Sequence, residues 1–90
     1  MNNLFYNLQL NIVKMEIKEF IENLAEALEI DDASELNGNT VFEDIEEWSS
    51  LGVLEVITMI SNEYDVILSP KEMRTVKTIE ELVNLIKSKA

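Results

Sequence analysis

The hydrophobic residues near the start of this chain recur every three or four positions between Met15 and Leu28. They form a single stripe, and mostly charged side chains occupy the opposite face. A stripe of this period is typical of an amphipathic helix that packs on a core. Its members are Ile17, Phe20, Ile21, Leu24, Ala25 and Leu28. We therefore predict a first helix over residues 15–28.

A second helix is predicted from Ser50 to Tyr64, where apolar residues occur on almost every side. A helix this apolar must be covered largely by its neighbours. Its buried side is expected to consist of Leu51, Leu54, Ile57, Met59, Ile60 and Tyr64, broadened by Val53 and Val56. Its outward positions are expected to be Gly52, Glu55, Thr58, Ser61, Asn62 and Glu63.

Two capping patterns predict the remaining helices. Ser69 is followed by Pro70 and Glu72, which suits a helix with serine at its cap and proline at its first position. Thr78 and Glu81 form a second capping box a few residues later, so the third helix must be short. The inner face of the fourth helix is predicted to consist of Ile79, Leu82, Val83, Leu85 and Ile86.

The segments between these helices are expected to lack regular structure. Residues 31–39 are polar and contain a glycine, which indicates a loop. Val41, Phe42 and Ile45 are expected to turn inward and hold this long connection to the core. Residues 66–68 could form a strand, but a lone strand has no partner, so we interpret them as a buried connection. The predicted fold is all-α: a small four-helix bundle with a long first loop and a short third helix.

Residues 1–14 do not share the pattern of the rest of the chain. They contain no acidic residue and a single basic residue, Lys14, and they offer no helix-start signal. They also lack the basic start, longer apolar run and cleavage site of a signal peptide. We interpret residues 1–14 as an extension outside the native domain and residues 15–90 as the domain. The alternative is an apolar arm that docks on the domain or on another chain.

Composition limits the chemistry of this chain. Its 90 residues include neither histidine nor cysteine, which removes the usual general base near neutral pH, thiol nucleophiles and most zinc sites. The net charge is −11, and all 18 acidic residues follow residue 14. Such a surface disfavours nucleic acid. It attracts basic protein partners, but charge alone is more often explained by the solubility of a small protein. No apolar run reaches the roughly 18 residues of a membrane span, and a chain without cysteine suits the reducing cytoplasm.

Ser50 is the one position where we expect chemistry. It lies where an acidic loop meets an apolar helix, and Trp48 and Ser49 precede it. On residue pattern alone, a serine pair at this point is most often a plain helix cap. If Ser49 is the cap, the hydroxyl of Ser50 is left free at the first turn. The acids of the preceding loop lack the spacing of a calcium site, so we predict no metal there. These acids are Glu43, Asp44, Glu46 and Glu47.

The order and spacing of three motifs resemble the acyl carrier proteins. The first motif is Trp-Ser-Ser-Leu at residues 48–51, in which Ser49 stands where the family usually has aspartate. Residues 62–68 resemble the segment that closes the family's second helix, and residues 77–82 resemble the entry to its last helix. The resemblance covers residues 15–88 and includes the layout of helices and the long first loop.

The resemblance implies that Ser50 receives a 4′-phosphopantetheine arm from coenzyme A and that the protein is a carrier, not an enzyme. The arm would hold acyl groups as thioesters, as in fatty acid biosynthesis. The expected partners are a phosphopantetheinyl transferase and acyl-processing enzymes with basic surfaces, which meet a monomeric, cytoplasmic carrier. The residues expected to contact these partners are Glu46, Glu47, Trp48, Leu51 and Glu55.

The chain departs from the family at two places. Ser49 removes a negative charge beside the attachment site, although Ser and Asp are about equal as helix caps. The outward side of the second helix has only Glu55 and Glu63 as acids, whereas many relatives have several. Two other functions stay open: a carrier for an amino-acyl or polyketide pathway, and an unmodified acidic adaptor.

The interior of the predicted bundle also has two interpretations. In one, apolar side chains around the second helix line a cavity for an acyl chain. In the other, the same side chains form an ordinary packed core. They are Val53, Ile57, Ile60, Ile67 and Ile79.

A shortened chain tests the proposed domain boundary. If residues 1–14 lie outside the domain, a chain that begins at Met15 should keep its helix content and unfold within a few degrees of the full chain. Circular dichroism with thermal unfolding measures both. A large loss of stability would show that the apolar arm docks.

Overall fold

The computed structural model describes residues 17–90, which form four helices around one core. The helices are α1 (Ile17–Leu28), α2 (Ser50–Tyr64), α3 (Pro70–Met73) and α4 (Ile79–Lys89). A short 3-10 helix, Phe42–Asp44, lies in the long loop between α1 and α2 and was not predicted from the sequence. The all-α fold, the long first loop and the short third helix are confirmed.

Helix α1 packs on both α2 and α4 through the predicted stripe. Its buried side chains are Phe20, Ile21, Leu24, Ala25 and Leu28. The predicted start of this helix at Met15 lies outside the described residues, as does the whole of residues 1–14. The periodicity therefore identified the inner face of α1 correctly, because its apolar residues occupy one side only.

Helix α2 is rotated relative to the sequence-based expectation. The buried residues of this helix recur every four positions: Gly52, Val56, Ile60 and Tyr64. The expectation that Leu51 and Leu54 are buried is wrong, since they are 67% and 53% exposed. The expectation that Gly52 faces outward is wrong as well. Apolar residues surround almost the whole helix, so its hydrophobic pattern does not determine which side faces the core.

The long first loop is tied to the start of α4. Val41 and Thr78 form an isolated antiparallel bridge. Beside it, the amide of Phe42 donates a hydrogen bond to the carbonyl of Lys77 at 2.9 Å. Phe42 and Ile45 are buried in the core, as predicted, whereas Val41 is half-buried. These contacts fix the part of the loop that leads into α2.

The capping box predicted for α3 forms completely, whereas the one predicted for α4 forms only in part. Ser69 Oγ accepts from the amide of Glu72 at 3.1 Å, and Glu72 Oε1 accepts from the amide of Ser69 at 3.0 Å. This reciprocal pair confirms the capping box of α3. Thr78 Oγ1 accepts from the amide of Glu81 at 3.2 Å, but the Glu81 carboxylate accepts from the amide of Lys77. Only half of the second box therefore forms.

After α2, the positions predicted to be buried are buried except for Ile67 and Leu85. Val66 and Leu68 lie in the core, but Ile67 between them is 76% exposed. The connection after α2 is therefore buried at alternate residues only, as expected of extended backbone. In α4 the residues that face the core are Ile79, Leu82, Val83 and Ile86, while Leu85 is half-buried.

The ion pair between Glu72 and Lys89 joins α3 to the end of α4, with 2.6 Å between Oε2 and Nζ. The hydrogen bond from Lys89 is the chief reason that the pKa of Glu72 lies below its ordinary value, and the Ser69 amide adds to the effect. A lowered folded pKa stabilises the fold above the ordinary carboxyl pKa, and this contribution is lost as the pH falls through the folded pKa.

We expect Glu72→Gln to melt slightly below the unaltered protein near neutral pH, because glutamine keeps the capping oxygen but lacks the charge. The difference should shrink to nothing once the pH is below the folded pKa of Glu72. Thermal unfolding across a pH series measures this, with the exposed Glu35→Gln as the matched control. A gap of the same size at all pH values would show that the charge does not contribute.

Candidate functional site

The two adjacent serines at the start of α2 have different surroundings. Ser49 has extended backbone, with φ −154° and ψ 175°, and its Oγ accepts from the amide of Gly52 at 3.1 Å. Ser49 is therefore the helix cap, as predicted. Ser50 is the first helical residue, and it is exposed. The hydroxyl of Ser50 is thus free of the capping role and accessible to another molecule.

Gly52 lies where α2 packs against the end of α1. A Cβ atom at this position would be 2.9 Å from Leu28 Cδ2 and 3.2 Å from the carbonyl oxygen of Glu47. The first distance is shorter than real Cβ contacts, so the Leu28 side chain must shift, and the second is a tight contact with backbone. The missing side chain therefore allows the first turn of α2, which carries Ser50, to pack against α1 and the preceding turn.

The turn that leads into Ser50 is held by an aromatic stack. The rings of Phe42 and Trp48 lie 4.6 Å apart with an angle of 23° between their planes. The amide of Trp48 also donates to the carbonyl of Ile45 at 3.0 Å. Trp48 is half-buried, while Glu46 and Glu47 are exposed in the same turn. The acids named as partner contacts therefore project from a well-supported turn.

An open groove of about 640 Å³ lies between α1 and α2, next to Ser50. Two of the predicted partner contacts line it: Leu51, which is exposed, and Glu55, which is half-buried. The sequence did not identify Leu54 as exposed, although its side chain also lines the groove. The full lining consists of Asn23, Glu26, Ala27, Leu51, Leu54, Glu55, Thr58, Met59, Asn62 and Glu63.

The α1 side of this groove was missed by sequence reasoning. Asn23 borders the buried stripe of α1, and its Nδ2 donates to the hydroxyl of Tyr64 at 2.9 Å. Burial raises the pKa of Tyr64, and the hydrogen bond from Asn23 opposes that effect. Asn23 thus joins α1 to the end of α2 below the groove. The sequence shows that Asn23 lies beside the apolar stripe of α1. It does not show which helix packs against that side of α1.

The charged residues that line the groove all have one sign within residues 17–90. They are Glu26, Glu55 and Glu63, and no basic residue of this part of the chain lines it. Glu46 and Glu47 add negative charge at the head of α2. Within residues 17–90, no group of three potential ligands is placed to hold a metal ion. The groove is therefore suited to a partner that combines apolar side chains with basic ones.

Comparison with protein families matches residues 18–86 to the phosphopantetheine attachment site family. The chain belongs to this family and is a phosphopantetheine carrier protein, whose cofactor is bound covalently at a serine. Carrier domains of this kind deliver their cargo to other enzymes, among them transferases and acyl-processing enzymes. No match was found among curated proteins or among solved structures. None of the helices within the described residues is long and apolar enough to cross a membrane.

We expect Gly52→Ala to destabilise the protein by about 1 kcal/mol. Alanine removes the helix penalty of glycine, about 1 kcal/mol, but overpacking against Leu28 and Glu47 opposes this by about 1–3 kcal/mol. Chemical unfolding of Gly52→Ala, Leu28→Ala and the double variant measures the coupling between the two sites. Leu28→Ala should be less destabilising in the Gly52→Ala background. Additive effects, or a stabilised Gly52→Ala, would contradict the close-packing role of Gly52.

Proposed function

We propose that Ser50 is the attachment site of the arm and that the protein shuttles acyl groups, as thioesters on that arm, in fatty acid or related acyl biosynthesis. The observation that supports this assignment is the exposed hydroxyl of Ser50 at the first turn of α2, next to a serine that is already used as the cap. The arm supplies the thiol, so the absence of cysteine from the chain does not oppose this function.

The other serines are less suited to the role. Ser49 and Ser69 cap helices, and the hydroxyl of Ser88 donates to the carbonyl of Leu85 at 2.7 Å. Ser61 is only partly exposed in the middle of α2. Ser34 is exposed, but it lies in the loop after α1 and outside any helix. Among these serines, Ser50 alone is exposed in the first turn of a helix without being its cap.

The attachment step is an exchange of phosphate esters. Ser50 Oγ forms a bond to the phosphorus that bears pantetheine in coenzyme A, the pyrophosphate bridge breaks, and adenosine 3′,5′-bisphosphate leaves. The chain has no histidine, so a separate transferase provides the base that takes the hydroxyl proton. The resulting phosphodiester lies at the positive end of the α2 dipole, which favours it by roughly 0.3–1 kcal/mol.

The surface around Ser50 is proposed to dock the transferase and the acyl-processing enzymes. Exposed Leu51 and half-buried Trp48 offer apolar contacts within two residues of the attachment site. Glu46, Glu47 and Glu55 surround them with negative charge, which attracts basic surfaces and speeds encounter. A carrier that passes between enzymes must bind each of them transiently. We propose that it does so as a monomer. We place it in the cytoplasm, where coenzyme A and a reducing environment are both present.

The identity of the group on the arm distinguishes a carrier of fatty acyl groups from a carrier of an amino-acyl or polyketide pathway. Both would use the same serine. The intact mass of the protein purified from its own cell distinguishes them. A fatty acyl mass on the arm supports the proposal, whereas an amino-acyl or polyketide mass supports the other pathways.

Substitution of the two serines tests the attachment site. The unmodified protein is incubated with coenzyme A, magnesium and a broad-specificity phosphopantetheinyl transferase and then weighed. Ser50→Ala should abolish the mass gain and leave the helices intact. Ser49→Ala should retain the gain but lose about 0.5–2 kcal/mol of stability, because it removes the cap.

Ser49→Asp serves as the matched control, since aspartate restores a capping oxygen and adds the charge that the family usually has beside the serine. It should be modified at least as fast as the unaltered protein. If modification persists in Ser50→Ala and vanishes in Ser49→Ala, the attachment site is Ser49 and not Ser50. If the unaltered protein is never modified, the carrier function is wrong and the unmodified acidic adaptor takes its place.

A further inference from the structure

Asn37, in the long first loop, is the only asparagine of this chain that precedes a glycine. Its side chain is exposed, so water reaches it. The side-chain amide of an asparagine can be attacked by the backbone nitrogen of the next residue. A glycine at that next position offers no Cβ to obstruct the approach. Asn37 is therefore the asparagine of this chain that is most open to the reaction.

The fold holds Asn37 at the start of a tight turn over residues 37–40. The amide of Thr40 donates to the carbonyl of Asn37 at 3.0 Å, and the amide of Asn37 donates to Thr40 Oγ1 at 2.9 Å. The amide of Asn39 donates to Asn37 Oδ1 at 2.8 Å, a bond that is common for asparagine in turns. The side-chain carbonyl of Asn37 is therefore folded back toward the peptide unit that contains the Gly38 nitrogen.

The two groups that the reaction needs are both present in this turn. Within residues 17–90, no hydrogen bond is recorded from the amide of Gly38, so loss of its proton breaks none of the recorded contacts. Attack on Asn37 Cγ places negative charge on Oδ1, and the amide of Asn39 already donates to that oxygen. A donor aimed at a developing oxyanion lowers the barrier to its formation. The turn thus supplies both a nucleophile and an oxyanion donor.

We propose that Asn37 converts spontaneously to isoaspartate and that this modification releases the first loop from α4. The Gly38 nitrogen bonds to Asn37 Cγ, its proton passes to water, and the side-chain nitrogen leaves as ammonia. Water then opens the resulting succinimide ring at either carbonyl, which gives isoaspartate or aspartate. The reaction needs no enzyme and no reactant other than water. It is therefore independent of the arm proposed at Ser50.

The same turn ties the first loop to the start of α4. The carbonyls of Gly38 and Thr40 accept from the amides of Glu80 and Ile79 at 2.9 Å and 3.1 Å. There is little room for adjustment, since a Cβ added at Gly38 would lie 3.3 Å from Ile17 Cδ1. Isoaspartate inserts an extra carbon atom into the backbone before Gly38, so the two carbonyls lose their register with the α4 amides. Aspartate adds the same charge but leaves the backbone unchanged.

Incubation of the full chain at neutral and mildly alkaline pH tests the reaction. Peptide mapping by mass spectrometry follows each asparagine, and methylation by an isoaspartyl methyltransferase quantifies isoaspartate. We expect Asn37 to convert while Asn39, which is exposed in the same turn but precedes threonine, stays intact. Conversion should accelerate as the pH rises, because the Gly38 amide must lose its proton. Asn37→Ser should abolish the methylation.

A chain synthesised with isoaspartate in place of Asn37 tests the structural effect. Asn37→Asp is the matched control, because it adds the charge without lengthening the backbone. We expect the isoaspartyl chain to melt roughly 4–8 °C below the unaltered protein, and Asn37→Asp to melt close to it. Hydrogen exchange at the amides of Ile79 and Glu80 should be faster in the isoaspartyl chain and unchanged in Asn37→Asp.

Three outcomes would overturn the proposal. If Asn37 stays intact in the folded protein but converts in a peptide of residues 33–42, the turn protects it and the modification site is wrong. If conversion yields aspartate alone, the backbone is not altered and the proposal fails. If the isoaspartyl chain keeps its melting temperature and its slow exchange at Ile79 and Glu80, the release of the first loop is wrong. The mass gain at Ser50 is measured separately, so the proposed function is tested independently of all three.

Discussion

The close packing of α2 against α1 at Gly52 determines which side chains the protein presents to other molecules. Helix α2 is apolar on almost every side, so its hydrophobic pattern does not determine its rotation. In the observed rotation the residue without a Cβ lies against Leu28, where an added Cβ would be 2.9 Å from Cδ2. That rotation turns Val56 and Ile60 toward the core and leaves Ser50 and Leu51 in solvent. The accessible surface around the proposed attachment site follows from a contact on the opposite side of the helix.

The same glycine links this packing to the helix cap. Its amide donates to Ser49, and the carbonyl oxygen of Glu47 limits the space beside it. The cap, the preceding turn and the contact with α1 are therefore one unit. The stack of Trp48 on Phe42 joins this unit to the first loop, which the bridge to α4 holds in place. Ser50 thus occupies a fixed position although it lies on the surface, which suits a residue that several enzymes must find in turn.

The sequence predicted those features that local chemistry determines. The starts of α2 and α3 followed from caps at Ser49 and Ser69, because a capping oxygen acts within three residues of itself. The rotation of α2 could not be predicted, since it depends on a contact with Leu28 that lies 24 residues earlier in the chain. The groove could not be predicted for the same reason. It joins side chains from separate elements, and no spacing in the sequence indicates which elements become neighbours.

Ser50 therefore lies between two depressions with opposite charge. Among the described residues, the groove toward α1 is lined by acids without a basic residue. A pocket of about 380 Å³ on another side of α2, lined by Val53 of α2 and Met73 of α3, has Arg74 and Lys77 against a single acid, Glu43. Salt screens charges over about 8–10 Å, so a group on either side of the helix responds mainly to its own surroundings and not to the net charge of −11. Electrostatic attraction alone therefore favours a basic partner at the groove over the pocket.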